Sequence, residues 1–368
     1  MFKPKRFAVA TFATAVVWSS ASFAFADDVA TRIRSIPIEK GFKTDEGKPA
    51  TDISGIACKP AHDGKRKCIV IDDQGRNAQE LTINGRAFKA GDAITLFGSA
   101  PPASAFGTPP KNKEKDGCPD VGKFKDLDGE AVAYDAPYFY VVGSHGCSRA
   151  HGEPGKGKFR TSSFITARFR LNDTGNVQTT YRLADALKVT SGDLGKAYGA
   201  ELEGTGPDGM NVEGAVAFGG MLYAGLRAPS LDGKAFLVGA PIDALFSADA
   251  AADVTPTVVP LKLGAGLGIR DLSLQPDGRM FILAGPTRDD PDSHFAVFVA
   301  DMTAKKPCAR RLAELKDVDA GDNRAKAEGI LLLGETKKAL SMLILFDGLP
   351  DGGAAEYKIP KAEGACEG

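Results

Sequence analysis

Residues 212–227 read Val-Glu-Gly-Ala-Val-Ala-Phe-Gly-Gly-Met-Leu-Tyr-Ala-Gly-Leu-Arg. Glu213 stands at the start of a short apolar run, Gly219-Gly220 interrupts it, and a second apolar run ends on Arg227. Short apolar runs separated by glycine are typical of β-hairpins. The stretch therefore predicts a hairpin that opens on a carboxylate and ends on a charged tip.

Four other segments of the chain follow the same pattern of a small or acidic polar residue, a short apolar strand, a turn and a second apolar strand. They open with Ile53-Ser-Gly-Ile-Ala-Cys58, Gly129-Glu-Ala-Val-Ala-Tyr134, Arg270-Asp-Leu-Ser-Leu274 and Ala327-Glu-Gly-Ile-Leu-Leu332. Repetition of one small β-unit is typical of a propeller, which lets a long chain form one domain around an axis. We therefore predict an all-β fold, a single β-propeller.

The stretches between the hairpins supply two weaker strands each, which makes five four-stranded blades; a sixth blade is the alternative. Only one strand, Glu356 to Ile359, follows the fifth hairpin, so Ile33 to Ile38 is expected to close the ring as the missing strand. Ser99–Leu127 and Ser148–Ser163 are rich in Pro, Gly and Lys, and are expected to form rim loops. A short helix is expected within Ala184–Ala200.

The N-terminus carries the pattern of a secretory signal. Lys3, Lys5 and Arg6 precede an uncharged apolar run, and small residues follow at Ala24 and Ala26. The run is shorter than the roughly 20 residues of a membrane span. We therefore expect a signal peptide over residues 1–26, a propeller over 27–368, no membrane span after cleavage, and a periplasmic or secreted protein; an uncleaved anchor is the alternative.

All six cysteines lie after residue 26. An even number of cysteines in an oxidising compartment favours disulfides. Cys58 and Cys68 flank a hairpin loop and are expected to pair. Cys118–Cys147 and Cys308–Cys366 are the expected remaining pairs, although spacing leaves other connectivities open. A net charge of −1 offers no basic surface for nucleic acid.

In a propeller, the first strand of each blade lines the central channel, so the residues at its start converge. The residues expected to converge here are Ser54, Glu130, Glu213, Asp271 and Glu328. Four carboxylates so close together need protons or positive charge, and Ca²⁺ is the cation that suits oxygen ligands. The alternative is that Arg227 and Arg270 neutralise the acids.

Polar residues at the tips of the second strands are candidates for binding a ligand at the channel mouth. Asp73, His145 and Arg227 occupy such tips, and Arg270 adjoins the acidic ring. No Gly-x-Ser-x-Gly motif frames Ser144-His145, so a Ser-His-Asp triad would have to assemble in space. His145, Cys147 and His151 have a spacing that suits a soft metal, unless Cys147 is in a disulfide.

The segments Val212–Ala217, Gly225–Pro229, Gly268–Leu272 and Ile69–Asp73 resemble an uncharacterised bacterial family of exported proteins with a domain of unknown function. This resemblance covers about residues 50–350 and implies a propeller without an established activity. The Glu-Gly strand openings are more loosely similar to the esterase-like phytase propellers, which implies phosphoester or ester hydrolysis. The sequence departs from Glu-Gly at Ser54-Gly55, Arg270-Asp271 and Gly129-Glu130, so no catalytic role is carried over.

Two classes of function follow from these observations. One is a metal-assisted hydrolase of a small phosphorylated or esterified compound at the channel mouth. The other is a non-catalytic propeller that binds a small molecule or a protein there. Loss of both bound metal and turnover on chelation favours the first class.

Overall fold

The computed structural model describes residues 29–114, 117–148, 155–202, 208–288, 294–316 and 325–361. The expected signal peptide and its cleavage site lie outside these residues, as do His151 and Cys366. The strands are, in chain order, β1 (Thr31–Ser35), β2 (Ile38–Glu39), β3 (Ile53–Cys58), β4 (Lys65–Asp72), β5 (Asn77–Asn84), β6 (Ala87–Thr95), β7 (Asp120–Val121), β8 (Gly129–Asp135), β9 (Tyr138–Gly143), β10 (Lys158–Phe159), β11 (Thr166–Arg170), β12 (Asp173–Thr180), β13 (Asn211–Phe218), β14 (Met221–Ala228), β15 (Lys234–Pro241), β16 (Thr257–Lys262), β17 (Leu267–Leu274), β18 (Arg279–Pro286), β19 (Phe295–Asp301), β20 (Arg310–Leu315), β21 (Lys326–Glu335), β22 (Ala339–Asp347) and β23 (Ala355–Pro360).

Five sheets form a five-bladed β-propeller, as predicted. The blades are β3-β4-β5-β6, β8-β9-β11-β12, β13-β14-β15-β16, β17-β18-β19-β20 and β21-β22-β23-β1. Within each blade, neighbouring strands pair antiparallel. The first strands pack side by side around the axis in the cycle β3, β8, β13, β17 and β21, and β21 returns to β3.

The N-terminal segment closes the ring, which confirms the prediction for Ile33 to Ile38. Strand β1 pairs antiparallel with β23 and is the fourth strand of the last blade. A few residues further on, β2 pairs in parallel with β6, the outer strand of the first blade. The same short segment therefore holds the first and the last blades together.

Glycines near the starts of the first strands, such as Gly55 after Ser54 and Gly214 after Glu213, allow the blades to pack closely. A Cβ at Gly55 would lie 2.9 Å from the carbonyl oxygen of Glu130 in the next blade. A Cβ at Gly214 would lie 2.9 Å from the side chain of Ile269 in the blade that follows. Real Cβ atoms do not approach other atoms this closely without a shift, so the Glu-Gly openings of the strands have a packing reason.

Two of the three expected disulfides are present. Cys58 pairs with Cys68 across β3 and β4, and Cys118 pairs with Cys147. Cys308 is also disulfide-bonded. Its expected partner, Cys366, lies outside the described residues, so that pairing stays a prediction.

The two rim segments are largely irregular, as expected, but β7 and β10 pair in parallel and tie one segment to the other. The expected helix is present as two short helices, α1 (Arg182–Lys188) and α2 (Gly192–Ala197). A third, α3 (Ile242–Leu245), follows β15. None of the helices in the described ranges is long and apolar enough to cross a membrane.

The two ends of the channel differ in the length of their connections. Turns of two to four residues, such as 136–137 and 275–278, join the first and second strands of blades two to five at one end. At the other end, where the first strands begin, the connections include 96–128, 144–165 and 181–210. Long connections of this kind carry most binding sites. We call this end the acidic end, for the residues described next.

Candidate functional site

Each first strand carries one extra residue, a β-bulge, near its start. The pairing of first and second strand skips one residue in every blade, and the skipped residues are Ser54, Glu130, Glu213, Arg270 and Glu328. A bulge re-aims its side chain and is frequent beside functional sites. These five residues occupy equivalent positions, and we call them the ring.

The ring corrects one sequence prediction. Asp271 was expected as the contribution of the fourth blade, but Asp271 pairs with Leu283 and Arg270 is the bulged residue. Asp271 therefore corresponds to the glycine that follows the acid in other blades, such as Gly214. Aligning the five strand openings on their acidic residues places Asp271 with the other acids. The observed strand pairing shifts the fourth blade by one residue and places Arg270 there.

Arginines neutralise part of the ring. Arg270, fully buried, forms ion pairs with Glu213 on the third blade and with Glu328 on the fifth, the latter at 3.2 Å between Nη2 and Oε1. The hydroxyl of Ser54 donates to Oε2 of Glu328 at 3.3 Å. The ring therefore contains its own positive charge, as the arginine alternative expected. A cation bound at the ring itself stays a prediction.

Arg227 adds a second guanidinium from the second strand of the third blade. Its Nη1 lies 2.9 Å from Oε1 of Glu213, and its Nε donates to the carbonyl oxygen of Thr287 at 3.1 Å. The side-chain amide of Asn211 donates to the same Oε1 at 3.0 Å. Two expected ligand-binding residues, Arg227 and Arg270, thus hold Glu213 in place.

Glu130 is the ring carboxyl for which the described residues provide no ion pair. Its side chain is only 9% exposed. Burial raises the pKa of Glu130 well above its ordinary value, and the nearby carboxylates of Glu213 and Asp128 raise it further. These effects favour the protonated form of Glu130 well above the pH at which an exposed glutamate ionises.

Asp271 lies within the channel and links three blades. Its Oδ2 accepts a hydrogen bond from the backbone N–H of Ile330 at 2.8 Å, and the N–H groups of Leu272 and Ile56 also stabilise the carboxylate. Burial nevertheless raises the pKa of Asp271 well above its ordinary value. Asp271 joins the first strands of blades one, four and five from inside.

Three aspartates of the first blade converge at the acidic end beside the ring. One carboxylate oxygen each from Asp52, Asp72 and Asp73 lies within 4.8 Å of the others. Burial raises the pKa of Asp72 to about 6, with a further contribution from Asp52. Burial also raises the pKa of Asp73 well above its ordinary value, and neighbouring carboxylates add to the rise. We call these three residues the aspartate triad.

Two further aspartates border the triad. Burial raises the pKa of Asp347, at the end of β22, to about 8, and the charge of Glu328 adds to the rise while Lys326 opposes it. Asp128 precedes β8 and accepts a hydrogen bond from the hydroxyl of Ser144. Its charge raises the pKa of Asp73. The acidic end thus gathers carboxyl groups from blades one, two and five.

His145 follows β9 and is fully buried. Its Nδ1 lies 2.8 Å from the carbonyl oxygen of Gly143, and its ring packs edge-on against Phe164. Burial lowers the pKa of His145 to about 4, so the imidazole is neutral at pH 7. The adjacent hydroxyl of Ser144 bonds to Asp128, and the two side chains do not form a Ser-His pair. Cys147 is in a disulfide, which removes it from the expected soft-metal set.

Sequence reasoning found Asp73 but missed Asp52, Asp72, Asp128 and Asp347 as members of one cluster. Each of these four stands at the start of a first strand or the end of a second strand, and therefore at the acidic end. The signal was available, because the hairpin pattern places both kinds of position at the same end. The prediction compared the starts of the first strands with one another. It did not consider that the second strands end beside those starts.

Comparison with solved structures yields similarities of fold at low identity. An α-L-arabinofuranosidase from Podospora anserina is 11% identical with a TM-score of 0.45, over 92% of this chain and 98% of that chain. A β-1,3-galactosidase of family GH43 is 11% identical with a TM-score of 0.42, over 89% and 94%. A GH62 α-L-arabinofuranosidase domain from Coprinopsis cinerea is 11% identical with a TM-score of 0.41, over 93% and 99%. No activity is carried over to this chain from similarities this distant.

The curated proteins include no significant match to this chain. A family model does match, over residues 201–355, which span the third and fourth blades and the first two strands of the fifth. The match confirms the resemblance to a family with a domain of unknown function. In this region the chain is similar to the family described as a protein of unknown function, DUF3616.

Proposed function

We propose that the protein is a hydrolase that cleaves a small esterified or phosphorylated compound at the acidic end of the channel, with Glu130 as the proton donor. The observation that supports this proposal is a buried carboxyl group at the channel axis, with a pKa well above its ordinary value, next to carboxyl groups in other surroundings. Carboxyl groups whose environments separate their pKa values are the usual basis for general acid and general base catalysis.

The step we assign to Glu130 is donation of its proton to the oxygen of the leaving group as the ester bond breaks. Burial among carboxylates favours the protonated form of Glu130, which a proton donor requires. Asp128 is the proposed acceptor for a proton of the attacking water. It accepts a hydrogen bond from the hydroxyl of Ser144, which fixes the position of the carboxyl group.

Charge restricts the substrate. The aspartate triad lies at the same end of the channel, so its negative charge repels an anionic group that approaches without a cation. An uncharged or cationic ester meets no such barrier. A phosphorylated compound requires a bound cation to offset the carboxylates, which makes metal-assisted hydrolysis the second form of the proposal.

We propose that this function is carried out in the periplasm or outside the cell. Two disulfides, together with a disulfide-bonded Cys308, support an oxidising compartment. The positive, apolar and small residues of the first 26 positions support export. Mass spectrometry of the periplasmic fraction is expected to find a chain that begins at Asp27.

The test is a hydrolysis screen with the mature protein. Nitrophenyl esters of short acids and nitrophenyl phosphate are offered at pH 7, with and without Ca²⁺. We expect turnover of at least one class, and a loss of about 100-fold or more in Glu130→Gln, which keeps the shape of the side chain but has no acidic proton. Glu335→Gln, on the opposite end of the propeller, serves as the control and retains full turnover.

Two results contradict the proposal. Equal turnover by Glu130→Gln and the original protein removes Glu130 from the reaction. No turnover of either class, with or without Ca²⁺, leaves the non-catalytic propeller that binds a small molecule or a protein at the channel mouth.

A further inference from the structure

We propose that Asp52, Asp72 and Asp73 form a binding site for a divalent cation, Ca²⁺ in the first instance, separate from the ring. This proposal does not depend on the proposed hydrolysis, because its evidence comes from the three aspartates of the triad alone. Metal ligands were expected from the sequence at the ring, where arginines pair with Glu213 and Glu328.

The spacing of the triad suits one cation. Its three carboxylate oxygens lie within 4.8 Å of one another. Oxygen ligands of Ca²⁺ lie about 2.3–2.6 Å from the ion, so two ligands of the same ion are at most about 5 Å apart. The spacing therefore suits three oxygen ligands of a single Ca²⁺, with small side-chain adjustments.

Unpartnered oxygens give an independent reason for a ligand. Asp72 is only 7% exposed, and its Oδ2 is buried with no hydrogen-bond partner. Oδ1 of Asp73 is likewise buried without a hydrogen-bond partner. Buried polar atoms nearly always form hydrogen bonds, because burying one without a partner costs free energy. A cation between these carboxylates satisfies both.

The remaining hydrogen bonds hold the triad in position. Oδ1 of Asp72 accepts from the backbone N–H of Gln74 at 2.9 Å, and the backbone N–H of Asp52 also stabilises this carboxylate. The hydroxyl of Thr51 donates to Oδ2 of Asp52 at 2.9 Å. The backbone N–H of Asp73 donates to the carbonyl oxygen of Asp52 at 3.0 Å, which joins the two chain segments. The site is thus largely arranged before a cation arrives.

The chemistry around the triad selects the kind of cation. Within the part of the chain that the structure describes, no lysine or arginine forms an ion pair with any of the three aspartates. Asp128 and Asp347 lie close enough to raise the pKa of Asp73, so further carboxyl groups lie beside the triad. Carboxylate oxygens without histidine or thiolate suit Ca²⁺ or Mg²⁺ over zinc or copper.

The test measures Ca²⁺ and Mg²⁺ binding to the full mature protein after chelator treatment, by titration calorimetry and thermal unfolding, with no substrate present. We expect saturable Ca²⁺ binding and a rise in melting temperature with Ca²⁺ concentration, because a ligand of the native state stabilises it. Asp72→Asn and Asp73→Asn are expected to weaken binding at least tenfold. Asp63→Asn, which removes an exposed aspartate from the turn before β4, leaves binding unchanged.

Melting without the cation separates a lost ligand from a damaged fold. Asp72→Asn is then expected to melt at or above the temperature of the original protein, because it relieves repulsion within the triad. Three results overturn the proposal: no binding of Ca²⁺ or Mg²⁺ by the original protein, unchanged binding by both triad variants, or loss of binding in Glu130→Gln alone, which places the cation at the ring. Failure of hydrolysis with intact Ca²⁺ binding contradicts only the proposed function.

Discussion

Arg270 of the fourth blade forms a buried ion pair with Glu213 of the third blade, and both side chains are at most 3% exposed. The pair exists because a bulge turns each residue toward the channel axis. Arg227 contacts the same carboxylate from the second strand of the third blade. Glu213 is therefore the common partner of two buried guanidinium groups, and the stability of the ring depends on its charge.

Glu213→Gln is expected to destabilise the protein by about 3–5 kcal/mol, because removal of one partner leaves buried charges without compensation. Urea unfolding at pH 7 measures the change. Glu335→Gln is the control, since Glu335 pairs with Arg279 at the surface and exposed pairs contribute about 1 kcal/mol or less. Equal stability of Glu213→Gln and the original protein would show that the arginines do not depend on this carboxylate.

Glu130→Gln is expected to become more stable than the original protein as pH rises. Unfolded Glu130 ionises above about pH 4.3, whereas burial and the facing carboxylates of Glu213, Asp128, Glu328 and Asp73 raise the pKa of the folded residue well above that value. A raised pKa in the folded state means that stability is lost as pH rises above the unfolded value. Glutamine cannot ionise and avoids this loss.

Chemical unfolding of both proteins at pH 4.5 and pH 8 measures this difference. The stability difference between Glu335→Gln and the original protein should change with pH in the opposite direction. Hydrogen bonds from Arg279 and Lys361 lower the pKa of Glu335 to about 2. A pH-independent difference between Glu130→Gln and the original protein would contradict a protonated Glu130.

The original protein is expected to lose stability at mildly acidic pH because of His145. The variant His145→Asn is expected to abolish this loss. The pKa of His145 is about 4 in the folded protein and about 6.5 unfolded. Between these values only the unfolded state binds the proton, so stability falls as pH falls from about 6.5 to 4. The free-energy difference between original and variant should shrink by roughly 2–3 kcal/mol between pH 7.5 and 4.5.

Asparagine suits this position because the backbone of residue 145 is left-handed, with a φ of 51°. His62→Asn, on an exposed turn, is the control, and its stability should change with pH as that of the original protein does. A constant difference between original and His145→Asn across this range would mean that His145 takes up a proton without unfolding.

Removal of residues up to Lys40 from the mature chain is expected to cause aggregation. The deletion takes away β1 and leaves the hydrogen-bonding edge of β23 open, and exposed edges promote pairing with other chains. It also takes away β2 from the first blade. Light scattering and thermal unfolding measure the effect. Arg34→Ala removes the ion pair with Glu356 but keeps the strand, and should stay monodisperse. A truncated protein that melts like the mature chain would show that closure does not need β1.

The repeated hairpins, the number of blades and the closing segment could be predicted from the sequence, because each depends on local patterns. Apolar runs bounded by glycine and proline mark strands wherever they fold, and the count of strands after the fifth hairpin required one more from the N-terminus. The pairing of Cys58 with Cys68 followed in the same way, because the two residues flank one loop.

Only the tertiary structure decided which side chains meet. Asp271 and Arg270 are adjacent in the chain, and the pairing of β17 with β18, not the residue types, determines which one occupies the ring. The aspartate triad combines the start of β3 with the end of β4. A one-residue bulge costs little locally but changes the direction of the side chain, so the composition of the site depends on contacts between strands that local sequence patterns do not encode.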